Sequence, residues 1–245
     1  MRRALLFLLA IVVLPASAAG GTITGRVVFR GEPPILAPID VVKDREVCGT
    51  AVPSPALVVA PGTRGVRYAV VFLEGATAPA APDPPDLTLE NRQCRFVPHV
   101  LATRIGSELA IVNGDPVLHN LRAWPEGESR RPVFNVVQPT QGQVSRRTIK
   151  REGVMALTCD THVHMSGWLL AFDHPYFAVT NADGEFTIPR VPAGRYRITV
   201  WHEGWNVLRR TPEGRLVYDP PHVASEDITL TETGSARIVF ELPAR

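Results

Sequence analysis

The segment Cys159-Asp160-Thr161-His162-Val163-His164-Met165-Ser166 places a thiol, two imidazoles and a thioether within one short turn. A further histidine, His119, lies upstream and is followed by Asn120. One Cys, two His and a weakly held Met form the ligand set of a mononuclear electron-transfer copper site. Soft sulfur favours Cu(I), imidazole suits both oxidation states, and a compromise geometry lets the ion cycle with little rearrangement. The thiol must ionise to bind, and the metal itself enforces that. Zinc fits Cys and His, but structural zinc takes more Cys or His ligands and no Met.

Positioning such a set requires strands that end at the ligands. Gly153–Thr158 leads into Cys159, and Gly167–Phe172 leaves the turn as the next strand. Asn113-Gly114-Asp115-Pro116 turns the chain, so that His119 projects from a strand end. Elsewhere helical periodicity is nearly absent. Short runs of Val, Ile, Thr and aromatics are cut by 23 prolines and 19 glycines, which is the composition of a β-sandwich. Thr22–Arg30 and Val66–Leu73 read as strands. Arg95–Thr103 and Glu108–Asn113 flank Gly106 like two arms of a meander, and 75–86 reads as an exposed Pro/Ala-rich loop. Beyond His174 the pattern restarts with Tyr176–Thr180, the Asn181–Gly184 turn, Glu185–Pro189, Arg195–Trp201, Ile228–Leu230 and Ala236–Leu242, with a loop-like stretch over 204–222. This predicts an all-β chain: a first sandwich over 19–173 and a smaller one over 174–245.

Residues 1–18 read as an export signal, with Arg2 and Arg3, an apolar stretch from Ala4 to Leu14, and Ala16-Ser17-Ala18 as a small-residue cleavage site. That stretch is too short to span a bilayer comfortably, and no membrane span is expected in the mature chain. Without Arg2 and Arg3 the 26 basic residues fall to 24, equal to the 24 acidic ones. A near-neutral chain does not suggest nucleic-acid binding. The periplasm is the expected compartment. In an oxidising compartment Cys48 and Cys94 form an even pair, because Cys159 has metal-ligand neighbours. A bridge would close a loop of about 47 residues and stabilise by about 4 kcal/mol, but the sequence leaves open whether their Cα atoms approach closely enough.

Phe96-x-Pro98, Gly106, Ile111-Val112-Asn113-x-Asp115 and His119-Asn120 resemble the corresponding path in cupredoxins. The Cys159–Met165 turn is similar to the short Cys-x2-His-x2-Met loop of the amicyanin type. The resemblance covers roughly residues 90–172 and implies a Greek-key copper domain with His119, Cys159, His162 and Met165 as ligands to one copper ion. It also implies that Asn120 braces the ligand loop by hydrogen bonding. Thr161 and Val163 stand where that loop type commonly has prolines, and His164 stands where an aromatic is usual. His164 is expected in solvent, with metal competition or titration near neutral pH as alternatives. His99 is a core or supporting histidine, with direct ligation as the alternative. Residues 22–75 look more like fused bacterial proteins of the methylamine-utilisation or plastocyanin-like kind.

Val179-Thr180-x-x-Asp183-Gly184-x-Phe186-x-Ile188 and Val191-Pro192-x-Gly194-x-Tyr196 resemble a carboxypeptidase regulatory-like, or transthyretin-like, sandwich. Its motifs serve turns and packing, so it is expected to be a structural or docking module. His174 is expected in the linker, His202 at an interface, and His222 carries no signal. The expected function is one-electron transfer with a redox partner protein. Cys159 would be the conduit, His162 the exposed port, and Val163, Trp168 and Leu118 an apolar docking patch. No enzymatic activity is expected. A copper-binding or delivery protein and an envelope scaffold or adhesion protein are the alternative classes.

Overall fold

The computed structural model describes residues 20–77, 86–127 and 131–243. The expected export signal and most of the Pro/Ala-rich loop lie outside the described residues. No helix among the described residues is long and apolar enough to cross a membrane.

The fold is an all-β arrangement of two sandwiches. In the first, a four-stranded sheet runs in the order Val144–Thr148, Glu108–Asn113, Leu87–Asn91, Phe96–Val97. It faces a five-stranded sheet ordered Phe134–Gln138, His119–Pro125, Gly153–Thr158, Ser166–Phe172, Val100–Arg104. Alternating residues from both sheets, among them Leu89, Leu109, Ile111, Leu121, Leu157 and Leu169, meet in one apolar core that also contains Cys159 and Met165. The two arms around Gly106 are not a meander. Val100–Arg104 pairs in parallel with Ser166–Phe172 in one sheet, whereas Glu108–Asn113 belongs to the other. The turn at Gly106, with φ of 92°, carries the chain across the sandwich.

The second sandwich is not the contiguous 174–245 unit expected from the sequence. Its three-stranded sheet has Gly21–Arg30 in the middle, antiparallel to Glu185–Val191 and parallel to Ser235–Pro243. Its four-stranded sheet has Val70–Glu74 between Phe177–Val179 and Gly194–His202. The first sandwich is therefore an insertion between two strands of the second. Within the three-stranded sheet Gly25 packs closely: a Cβ there would collide with the Ile238 carbonyl and the Phe186 ring. The loop-like stretch after Gly204 contains a small hairpin, Val207–Arg210 with Leu216–Tyr218. A third apolar cluster, including Val70, Val100, Leu170, Phe172 and Trp201, joins the five-stranded sheet of the first sandwich to the four-stranded sheet of the second. Because its central strands come from the N-terminal part of the chain, a fragment of residues 174–245 is expected to stay unfolded. Residues 20–243 should fold, and amide dispersion in NMR spectra of the two would check this.

Candidate metal centre

The centre is assembled at one end of the first sandwich from two strand ends and a loop. Asn113 fixes the turn before His119: its Nδ2 donates to the Val117 and Gln138 carbonyls at 2.9 and 3.1 Å, and its Oδ1 accepts from the Asp115 N–H at 3.1 Å. Gly114 allows the chain to pass close to Asn91, whose carbonyl would lie 2.9 Å from a Cβ at that position. The Asp115 carboxylate then accepts the backbone N–H groups of Gln93 and Cys94 at 2.7 and 2.8 Å and faces His119 Nε2 at 3.0 Å. His119 opens its strand, is fully buried, and its Nδ1 makes no hydrogen bond of ordinary geometry among the described residues.

Asn120 braces the Cys159 loop. Its Oδ1 accepts the Asp160 N–H at 2.7 Å and lies 3.4 Å from both the Thr161 N and the Cys159 Sγ. Its Nδ2 donates to Asp160 Oδ2 and Asn135 Oδ1. Cys159 Sγ lies 3.8 Å from His162 Nδ1 and accepts the His162 backbone N–H at 3.4 Å. His162 Nε2 is held by Asp44 Oδ2 at 2.9 Å. The side chain of His162 is fully buried, so the expected exposed port is closed. The reason lies far away in the chain: the segment carrying Asp44 and the short helix Arg45–Cys48 lies against it. Met165 is buried in the same core as Cys159. Its N–H donates to the His162 carbonyl at 2.9 Å, which closes the loop on itself.

Further residues lie around the centre. His164 is buried rather than in solvent, with Nε2 3.2 Å from the Cys94 carbonyl and Nδ1 unpartnered among the described residues. Burial, followed by the charge of His162, pushes its pKa down to about 4, so it is neutral at neutral pH. His99 does not join the centre: Nδ1 lies 3.1 Å from the Ser166 carbonyl and Nε2 is hydrogen-bonded to Glu203. Cys48 and Cys94 form a disulfide with Cα atoms 5.3 Å apart. Sequence reasoning missed Arg215, which comes from the hairpin of the second sandwich. Its guanidinium donates to the Cys159 carbonyl at 2.7 Å and the Met165 carbonyl at 3.0 Å, and so clamps both ends of the ligand loop. An arginine in a loop-like stretch carries no local signal of that role. His174, His202 and His222 are all buried. Of the expected apolar patch, Val163 and Trp168 line a common cleft, whereas Leu118 is exposed outside it.

One ligand atom from each of His119, Cys159 and His162 lies within 4.8 Å of the others. With Nε2 of each ring committed to a carboxylate, Nδ1 is the nitrogen left for a metal, and the unsatisfied Nδ1 of His119 is the plainest sign of fit. Burial opposes the charge on Cys159, but the facing His119 and His162 imidazoles outweigh it and bring the thiol down to about 6. Burial likewise opposes protonation of His119, but Asp115 and then Cys159 outweigh it and raise the imidazole to about 9. At neutral pH the metal-free centre is thus a thiolate–imidazolium pair.

A model of polysaccharide lyase family 4, domain II, matches residues 153–211, which run from the ligand loop into the second sandwich. No curated protein matches. Among solved structures, the chain is similar to a Cu-containing nitrite reductase from Thermus scotoductus SA-01, with 22% identity and a TM-score of 0.32 over 40% of this chain and 25% of that one. It therefore spans a quarter of that protein. It is similar to a purple cupredoxin from Nitrosopumilus maritimus, with 20% identity and a TM-score of 0.32 over 36% of this chain and 100% of that one. Amicyanin from Paracoccus versutus matches with 17% identity and a TM-score of 0.32, over 42% of this chain and 97% of that one.

Metal uptake must expel the His119 proton, so binding competes with protons up to about pH 9. Apparent metal affinity is expected to rise about tenfold per pH unit through the neutral range, level off above the His119 pKa, and fall more steeply below the Cys159 pKa. Competition with a chelator across pH would measure it.

Proposed function

We propose that this chain is a mononuclear copper protein of cupredoxin-like design that carries single electrons in an oxidising compartment. The observation that carries this reading is the buried trio of His119, Cys159 and His162, with Nε2 of both imidazoles held by carboxylates so that Nδ1 is left for the centre. Met165 supplies a fourth, softer donor from the same loop. A bound copper ion would supply a one-electron couple between Cu(I) and Cu(II). The protein's own residues do the rest: Asp115 and Asp44 fix the rings, Asn120 and Arg215 hold the loop, and burial excludes water. The Cys48–Cys94 disulfide supports export to the periplasm. The second sandwich, with its transthyretin-like turn motifs, serves as a structural and docking module, and no enzymatic step is assigned to it.

Since His162 is sealed, electrons need another way in. Trp124 Nε1 donates to Thr158 Oγ1 at 3.2 Å, and Thr158 is peptide-bonded to Cys159. Trp124 is half-buried, carries the Arg122 guanidinium 5.4 Å from its ring centre, and opens on a cleft of about 620 Å³ shared with Val163, Trp168 and Arg215. Trp124 is then the entry point for the redox partner.

A copper-delivery role is the second reading. It requires the ion to leave, and the burial of all three ring and thiol ligands opposes this. With one equivalent of Cu(II), residues 20–243 should show an intense thiolate-to-copper absorption and narrow hyperfine splitting in EPR, both lost in Cys159→Ser. An ordinary tetragonal signal that Cys159→Ser leaves unchanged would end the electron-transfer reading, and rapid copper exchange would favour delivery. Trp124→Leu should keep that spectrum but slow reduction by a protein donor at least about tenfold, or about 1.4 kcal/mol in barrier. Unchanged kinetics in stopped flow would remove Trp124 as the port.

A further inference from the structure

The Cys48–Cys94 disulfide lies beside the candidate centre. The sulfurs of Cys48 and Cys94 and a ring nitrogen of His162 all lie within 4.8 Å of one another, and all three residues are buried. His162 Nδ1 is also 3.8 Å from Cys159 Sγ. His162 therefore neighbours two sulfur groups, one a free thiol and the other a disulfide.

We propose that reduction of the Cys48–Cys94 disulfide creates a second metal-binding mode, in which both thiolates and His162 hold a thiophilic ion such as Cu(I). Two thiolates and an imidazole are a soft donor set of the kind that selects Cu(I) and zinc-like ions. The chemistry balances with a dithiol reductant. Its thiolate attacks one sulfur, the S–S bond breaks, and a second exchange releases the oxidised reductant and leaves two thiols on this chain. The entering ion then displaces the two thiol protons.

Both arms are held by contacts that do not involve the S–S bond. On one side Asp44 accepts the Cys48 N–H through its backbone carbonyl at 2.8 Å and holds His162 Nε2 through its carboxylate. On the other, the Cys94 N–H donates to Asp115, and the Cys94 carbonyl lies 3.2 Å from His164 Nε2. Opening the bond thus leaves the sulfurs near His162. Because His162 belongs to both modes, the reduced chain would hold an ion at one or the other, and the disulfide would act as a gate between them.

The test uses Cys159→Ser, which removes the first site, so that its outcome is independent of the electron-transfer reading. The protein is reduced with a phosphine, desalted without oxygen, and titrated with Cd(II), a redox-inert thiophilic probe read by its ultraviolet thiolate-to-metal absorption. The expected result is one equivalent bound by the reduced protein and none by the oxidised one, with circular dichroism unchanged by reduction. Adding His162→Gln should weaken binding at least about tenfold, converting to about 1.4 kcal/mol. Equal binding in both redox states, unfolding on reduction, or affinity indifferent to His162→Gln would each overturn the proposal.

Discussion

Two carboxylate–imidazole hydrogen bonds decide what the centre is able to bind. An imidazole has two nitrogens, and a ring free to turn offers either one to solvent, to a proton or to a metal. Asp115 takes Nε2 of His119 and Asp44 takes Nε2 of His162, so each ring is fixed in rotation and in the nitrogen it leaves free. Asp115 is itself immobilised by two backbone N–H groups, from Gln93 and Cys94. These donors and the His119 partner outweigh the effect of burial and keep its pKa below the ordinary value. A stable anion at that position is what holds the proton on His119 in the metal-free protein and what would strengthen the ring as a ligand once that proton has gone.

The rest of the structure supplies stiffness around this pair of bonds. The five-stranded sheet delivers His119 and Cys159 at the ends of adjacent antiparallel strands, since His119–Pro125 pairs with Gly153–Thr158. Asn120 ties the two together, and Arg215 reaches in from the other sandwich to hold the carbonyls at the start and end of the loop. The loop from Cys159 to Met165 contains no proline, and the Arg215 clamp restrains it from outside. The second sandwich thereby contributes directly to the geometry of the centre.

The local part of this arrangement was legible in the sequence. Cys159 and His162 stand out by their spacing within one turn, and the Asn113–Asp115 turn before His119 is ordinary turn chemistry. Alternation marked Thr22–Arg30 as a strand. It did not reveal that Gly21–Arg30 pairs with strands at the other end of the chain, because period-two patterning specifies which face is buried and says nothing of the neighbour. The same limit explains His162 and His164. A polar turn reads as solvated, and only the remote segment carrying Asp44 and the disulfide buries it. Asp44 and Arg215 act through tertiary contact alone, so no pattern around either position betrays them.

The parallel pairing of Gly21–Arg30 with Ser235–Pro243 has a consequence for the order of assembly. Gly21–Arg30 cannot find its place until Ser235–Pro243 has been made, so this sandwich closes only after the inserted one has been synthesised. The strands of the inserted sandwich's two sheets all lie within residues 87–172, and the 39–52 segment that packs on them precedes them in the chain. Completion of that sandwich leaves Val70–Glu74 and Phe177–Val179 able to pair side by side. A long, entropically costly closure thus becomes a short one. The unit that carries the candidate centre is then a template for the rest of the chain, and damage to its core would surface as failed closure of a sheet remote from that centre.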